Sequence, residues 1–180
     1  MFYETTGPHG LKRDPFKSLV VPRPIGWIST LDNEGRANLA PYSFFNAVAA
    51  SPPMVMFSGN GRHREGGLKD SVKNAEETGE FVCNLATWEL RDQMNASSEM
   101  LPRDVDEFAV ARLTPVPSEL VGPPRVAESP VHLECRWIKT VPLPADDPDE
   151  PNNVVFGQVI GIHIDESIIR DGMIDMDVFR

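Results

Sequence analysis

Between Ser58 and Ser71 the chain reads Ser58-Gly59-Asn60-Gly61-Arg62-His63-Arg64-Glu65-Gly66-Gly67-Leu68-Lys69-Asp70-Ser71. Two arginines, a lysine and a histidine lie between a strand-like run, Met54-Val55-Met56-Phe57-Ser58, and the start of a helical one. A helix N-terminus offers unpaired N–H groups and the positive end of the backbone dipole. The hydroxyls of Ser58 and Ser71 can donate to phosphate oxygens, and Lys69, Arg62 or Arg64 can balance the charge. Together these are the requirements for binding one phosphate monoester. Two familiar phosphate motifs fail here. A dinucleotide fingerprint beginning at Gly59 and Gly61 would need glycine where Arg64 stands, and Leu68-Lys69-Asp70-Ser71 breaks the contiguous Gly-Lys-Ser/Thr of a P-loop. On composition alone, the stretch fits a solvated surface loop equally well.

A second segment, Ala40-Pro41-Tyr42-Ser43-Phe44-Phe45-Asn46, combines aromatic bulk with small polar side chains. Exposed N–H groups, Ser43 and Asn46 could bond the polar edge of a flat heteroaromatic ring while the aromatics cover its face. The same residues also read as an ordinary barrel strand with Tyr42 and Phe44 in the core, and residue types alone favour that reading. The four histidines, His9, His63, His132 and His163, show no metal-ligand spacing, so no metal site is expected. His163 reads as a structural histidine. Cys83 and Cys135 lie in apolar runs without a basic neighbour and read as core thiols. There is no Gly-x-Ser-x-Gly elbow to support serine hydrolysis.

The elements that must position these segments are short. Seventeen prolines in 180 residues break the chain into pieces that suit a β-barrel better than a helix bundle. Ile25 to Leu31 is β-rich, and Gly35 supplies a hairpin turn after it. Val131 to Trp137 alternates cleanly, which predicts residues 131, 133, 135 and 137 inward and 132, 134 and 136 outward, with His132 on the outer face. Asn153 to Asp165 reads as one long strand. Its face bearing Val155, Gly157, Val159, Gly161 and His163 leaves room for another backbone or a flat ligand. Asp70 or Ser71 is expected to cap a helix that stops at Gly79, and Thr87 a second in which Leu90 and Met94 share a face. The acidic stretch Pro142 to Pro151 reads as a solvated loop.

Bulk properties narrow the function. The length suits one domain with a substantial core. A net charge of −10 argues against a broad nucleic-acid or anionic-membrane surface. There is no apolar run long enough for a membrane span and no signal-like N-terminus, and the two cysteines form no disulfide framework. Cytoplasm is therefore the expected compartment.

In order along the chain, Arg23-Pro24-Ile25-Gly26-Trp27-Ile28-Ser29-Thr30, Asn38-Leu39-Ala40-Pro41-Tyr42-Ser43-Phe44-Phe45-Asn46, Lys69-Asp70-Ser71, Thr78-Gly79-Glu80-Phe81-Val82, Asp106-Glu107-Phe108 and Gly157 to Asp165 resemble the flavin reductase-like family of FMN-binding split-barrel proteins. The likeness runs from about Val20 to Ile168. It implies a mainly β, Greek-key split barrel with a few short helices, filling residues 1–180 as a single domain with roughly the first 20 residues as an extension. It further implies a homodimer with FMN near the subunit interface. NADH or NADPH would be the electron donor, and a partner oxygenase or another acceptor would take the electrons. By position, Pro41, Tyr42, Ser43, Phe44, Phe45 and Asn46 would contact the isoalloxazine, with Thr30 near the ring. Ser58, Lys69, Asp70 and Ser71 would hold the ribityl phosphate, Asp70 acting as a helix cap. No residue is assigned a catalytic role, because hydride transfer between the two cofactors needs geometry more than a protein acid or base.

The loop from Ser58 to Lys69 is longer than is usual in such proteins, so Arg62 or Arg64 could replace Lys69 as the main phosphate partner. The family's C-terminal segment is expected to continue past Arg180, and without it the pocket would be more open. Two other uses of the same fold compete with the reductase. One is a non-catalytic flavin carrier. The other is a barrel for pyridoxal phosphate or haem, although no axial pair for haem is evident.

Overall fold

The computed structural model describes residues 1–179; Arg180, where the chain ends, lies outside them. After a short helix α1 (Phe16–Leu19), four strands follow: β1 (Gly26–Leu31), β2 (Ala37–Tyr42), β3 (Phe45–Ala50) and β4 (Pro53–Asn60). Helix α2 (Asp70–Thr78) leads to β5 (Glu80–Leu85), then α3 (Arg91–Ala96), α4 (Glu107–Ala111) and two short strands, β6 (Pro115–Val116) and β7 (Arg125–Val126). The two longest strands, β8 (Val131–Leu143) and β9 (Asn152–Ile164), precede a 3-10 turn and a small hairpin of β10 (Ile169–Arg170) and β11 (Met173–Ile174).

Seven strands form one antiparallel sheet in the order β2-β1-β5-β8-β9-β4-β3. Strand β5 pairs with β1 and β9 with β4, so distant parts of the chain become neighbours, as in a Greek key. The outermost strands, β2 and β3, are joined through Ser43 and Phe44, which curls the sheet on itself. The rings of Tyr42 and Phe57 meet across the split at 5.0 Å. The enclosed core draws Ile28, Phe45, Val55, Phe57, Phe81, Cys83, Cys135 and Val155 from six strands. This is the split barrel that the sequence implies. Both cysteines are free and buried. Among the described residues no helix is long and apolar enough to cross a membrane.

A second core lies outside the barrel, where Trp27 and Leu39 meet Leu90, Phe108, Ala111, Leu113 and Val126. It exists because the segment from 86 to 130 folds back over the sheet, and this changes the reading of β8. Residues 132 and 134 do not face water. His132 is buried with its Nε2 on the Val126 carbonyl at 2.8 Å, and Glu134 is wholly buried. The Glu134 carboxylate accepts from the backbone N–H of Glu119 (2.8 Å) and Leu120 (2.6 Å), and from His163 Nε2 (2.5 Å). Burial alone would raise its pKa, but those three donors hold it below the usual value. Alternation correctly divides the strand into two faces, but the segment from 113 to 130 covers the polar one.

The expected glycine face of β9 is split by a register shift at residue 160: Gly157 lies with Val155 and Val159 in the barrel core, whereas Gly161 and His163 turn to the covered side with Glu134, and the space at both glycines is taken. A Cβ at Gly157 would stand 2.3 Å from Phe81 Cζ, and one at Gly161 would stand 3.2 Å from Leu120. Neither opening is available to a flat ligand. The helix boundaries shift as well. Lys69 is the N-cap of α2, with Asp70 its first residue, and Gly79 ends it at φ 77° as expected. α3 begins at Arg91 rather than directly after Thr87. α4, which the spacing does not announce, is capped by the Asp106 carboxylate accepting from Phe108 N–H at 2.9 Å.

Candidate functional site

The end of β2, the start of α2 and the loop after α3 converge on one cleft. Its wall on one side is Asn38, Ala40, Pro41 and Tyr42, and on the other the loop from Ser97 to Leu101. Lys69, Asp70 and Ser71 close one end, with His63 and Glu107 beside them. The enclosed volume is about 90 Å³. An open groove of about 370 Å³, lined by Asn60, Gly61, Arg62, Arg64 and Glu150, continues from it and shares His63, Lys69 and Met100.

Each wall has a local cause. α2 carries no side-chain cap, which leaves its first N–H groups available to a ligand. Ser71 Oγ donates to Asn38 Oδ1 at 2.8 Å, and the Asn38 amide donates to Glu107 at 3.2 Å. Glu107 also accepts from Leu39 N–H at 3.2 Å. Burial pushes the Glu107 carboxyl up, and the nearby Asp70 charge adds to this, against the hydrogen bonds it receives. Burial pushes the Tyr42 phenol up to about 12, reinforced by Asp70 and Glu107 and opposed by a hydrogen bond with Ser71. Tyr42 is therefore a neutral phenol throughout the physiological range.

The opposite wall is tied down by side chains reaching backbone carbonyls. His63 Nε2 donates to Leu101 O at 3.0 Å while its Nδ1 accepts from Glu65 N–H at 3.1 Å, which fixes the orientation of the ring. Arg64 reaches Met100 O at 3.3 Å. Arg103 reaches Asp70 at 2.6 Å and the carbonyls of Gly66 and Leu68 at 3.0 and 3.1 Å. At the inner end, Trp27 Nε1 donates to Ser97 Oγ at 2.9 Å.

Of the residues expected at the site, the structure brings Pro41, Tyr42, Lys69, Asp70 and Ser71 into this cleft. Asp70 lines it but does not cap α2; its carboxylate is engaged by Arg103 instead. Ser43 and Phe44 form the turn beyond Tyr42, with the Arg23 guanidinium 5.7 Å from the Phe44 ring centre. Asn46 is exposed on β3, and Ser58 is occupied with Asn60 Oδ1 at 2.7 Å.

Thr30 and Phe45 do not reach the cleft. Thr30 is fully buried under α2, accepting from Asn74 at 3.1 Å, and Phe45 packs over Gly26 in the barrel core. Asn38, His63, Glu107 and Arg103 line or brace the site without having been singled out by sequence. Asn38 and Glu107 lie in segments already read as family-like, whereas nothing in the local pattern marks Arg103. Among the described residues no group of three or more His, Cys, Asp or Glu is placed to hold a metal ion.

Residues 18–177 match the model of the flavin reductase like domain. The chain belongs to the flavin reductase-like family. An uncharacterized protein of Aquifex aeolicus is 41% identical over 155 residues, covering 86% of this chain and 76% of the relative. Nitrilotriacetate monooxygenase component B from Bacillus cereus superposes with a TM-score of 0.88 at 30% identity, covering 99% of this chain and 88% of the other. Flavoredoxin of Desulfovibrio vulgaris shares the fold, with a TM-score of 0.73 at 21% identity over 99% of this chain and 85% of its own. For this family member, the chemistry of the cleft fits a phosphorylated flavin. Free helix N–H groups, a lysine and a serine meet at one end, and Pro41 and Tyr42 stand on the wall beside them.

Proposed function

We propose that this protein binds FMN in the cleft and catalyses its reduction by NADH or NADPH, acting as a cytoplasmic homodimer. The observation that carries the reading is the meeting, at one place, of the uncapped start of α2, Lys69 and Ser71 with Pro41 and Tyr42. Lys69 and the helix N–H groups would hold the phosphate, with Arg62 and Arg64 in the adjoining groove adding positive potential. Pro41 and the neutral Tyr42 would present an apolar surface to the ring and keep water from it. Bound flavin supplies the redox chemistry, so the protein's part is to position two rings and exclude solvent.

Two features support a dimer. The part of the cleft beside Pro41 and Tyr42 holds only about 90 Å³, and the groove that continues from it is open to solvent. In addition, β3 is an edge strand whose residues Asn46 to Ala50 are all exposed, including Val48. A second copy covering that edge would complete the walls around Ser43, Phe44 and Asn46. The likeness to a monooxygenase component supports a separate oxygenase as the acceptor of reducing equivalents.

The visible spectrum of purified protein, with or without added FMN, its mass in solution and NAD(P)H oxidation test this together. Flavin bands on a dimer that oxidises NADH or NADPH are expected. A protein that holds FMN without oxidising either nicotinamide would be an electron carrier, and one that takes up no flavin would end the proposal.

A further inference from the structure

We infer that Arg103 is a positioning residue for the phosphate end of the cleft, and that it acts by neutralising Asp70. The inference rests on the reading above, in which a phosphate docks against Lys69, Ser71 and the start of α2.

Asp70 presents a problem for that reading. It is the first residue of α2, its carboxylate lines the cleft, and Glu107 already places a second carboxyl on the same cavity. A phosphate brought to Lys69 and Ser71 lies beside Asp70 in sequence and in space. An uncompensated carboxylate there would repel it in a partly buried setting, where charge interactions are strong. His63 offers no compensation. Its Nε2 is 3.6 Å from Asp70 but is directed to Leu101 O, and its Nδ1 faces a backbone N–H, so no hydrogen bond from the ring reaches the Asp70 carboxylate.

Arg103 supplies the missing charge from the side of Asp70 away from the cleft. It does not line the cleft. It lies with Asp70, Lys73 and Glu107 in a separate hollow behind it. Its Nε donates to Asp70 Oδ1 at 2.6 Å, and Nη2 donates to the carbonyls of Gly66 and Leu68. Its own N–H reaches Glu65 at 3.4 Å. One guanidinium thus neutralises the offending carboxylate and fixes the loop that delivers Lys69. A lysine ammonium lacks the planar fork needed to meet all three acceptors. Arg103 would touch neither phosphate nor ring; its effect passes through Asp70 and the loop.

Riboflavin, which is FMN without the phosphate, isolates this effect. Wild type, R103M, D70N and the D70N/R103M double variant are titrated with FMN and with riboflavin, following flavin fluorescence. R103M should weaken FMN about tenfold or more while changing riboflavin less than about threefold. D70N/R103M should recover FMN binding to within about threefold of D70N, since removing the carboxylate removes the need for the guanidinium. D70N alone should bind FMN at least as tightly as wild type, and this arm stands even if R103M fails to fold.

Equal loss of both flavins in R103M without recovery in the double variant would make Arg103 a structural staple only and overturn the inference. Unchanged FMN binding in R103M, or weakened FMN binding in D70N, would also overturn it. A wild type that binds neither flavin defeats the proposed function itself and this inference with it, whereas wild-type FMN binding combined with any of the contrary variant results defeats the inference alone.

Discussion

Tyr42 has one side in the barrel core and the other on the cleft, and its titration reports both. Its folded pKa of about 12 lies above the ordinary value near 10, so the fold favours the protonated phenol. That contribution is fully present below pH 10 and is lost as pH rises through 12. The slope approaches 1.4 kcal/mol per unit between those values. Denaturant unfolding from pH 8 to 11.5 should show this alkaline loss in wild type, and Tyr42→Phe should flatten it. The cleft also predicts which substitutions matter little to chemistry. Ser43 and Asn46 lie outside the enclosed cavity, and His163 is bound to the buried Glu134. Alanine at any one of the three should change kcat of flavin-loaded protein by less than about tenfold, whereas loss of a general acid or base costs about 10²–10⁴. Steady-state NAD(P)H oxidation checks each. At this scale the sequence was most readable where one segment holds several site residues, as in Lys69-Asp70-Ser71. It was silent on Arg103, whose partner Asp70 is 33 residues away and whose other acceptors are carbonyls, which have no sequence signature.

The pairing of β8 with β9 shows what alternation can and cannot say about an element. The two-faced pattern of Val131 to Trp137 and the length of the following strand were legible, because side chains alternate across any strand. That both faces would be covered was not, because the cover is an irregular segment, 113–130, with two-residue strands and no period of its own. The cover is attached through polar groups, and this gives it a pH dependence. Burial pushes the His132 imidazole below its usual value, and the charges of Arg125 and His163 act the same way, against the Val126 carbonyl and Glu134. Because the folded pKa is depressed, the stabilisation is present above the unfolded value of 6.5 and is lost as pH falls below it. His132→Gln keeps a donor for Val126 but does not titrate, so its stability should fall less than that of wild type between pH 7 and 5. Chemical denaturation at matched pH values measures the difference. The close approach at Gly157 sets β9 against Phe81 of β5. Gly157→Ala forces a methyl against the buried Phe81 ring and should cost about 1–3 kcal/mol, read as a lowered urea midpoint at unchanged m-value.

At the scale of the whole molecule, the barrel is closed on its inside and unfinished at β3. Val48 is 47% exposed on that edge strand, among small neighbours that offer no polar cover. If a second copy completes the site, Val48→Lys should give a monomer by sedimentation velocity and weaken FMN binding more than about tenfold, with the far-UV spectrum of wild type. A variant that remains dimeric at micromolar concentration would place the interface elsewhere. The barrel and the cleft also differ in how they are fastened. β8 and β9 are joined by a backbone ladder that runs from Val131 to Leu143, whereas the loops at residues 61–70 and 97–103 are linked to each other by side chains, His63 and Arg64 each reaching one carbonyl and Arg103 reaching Asp70 and the carbonyls of Gly66 and Leu68. Such fastenings can open one at a time without disturbing the sheet, so amide hydrogens of the two loops should exchange at a small fraction of the free energy that protects β8 and β9. If flavin binds as proposed, independent opening of these loops would give a large flat molecule a way into the cleft while the barrel stays folded.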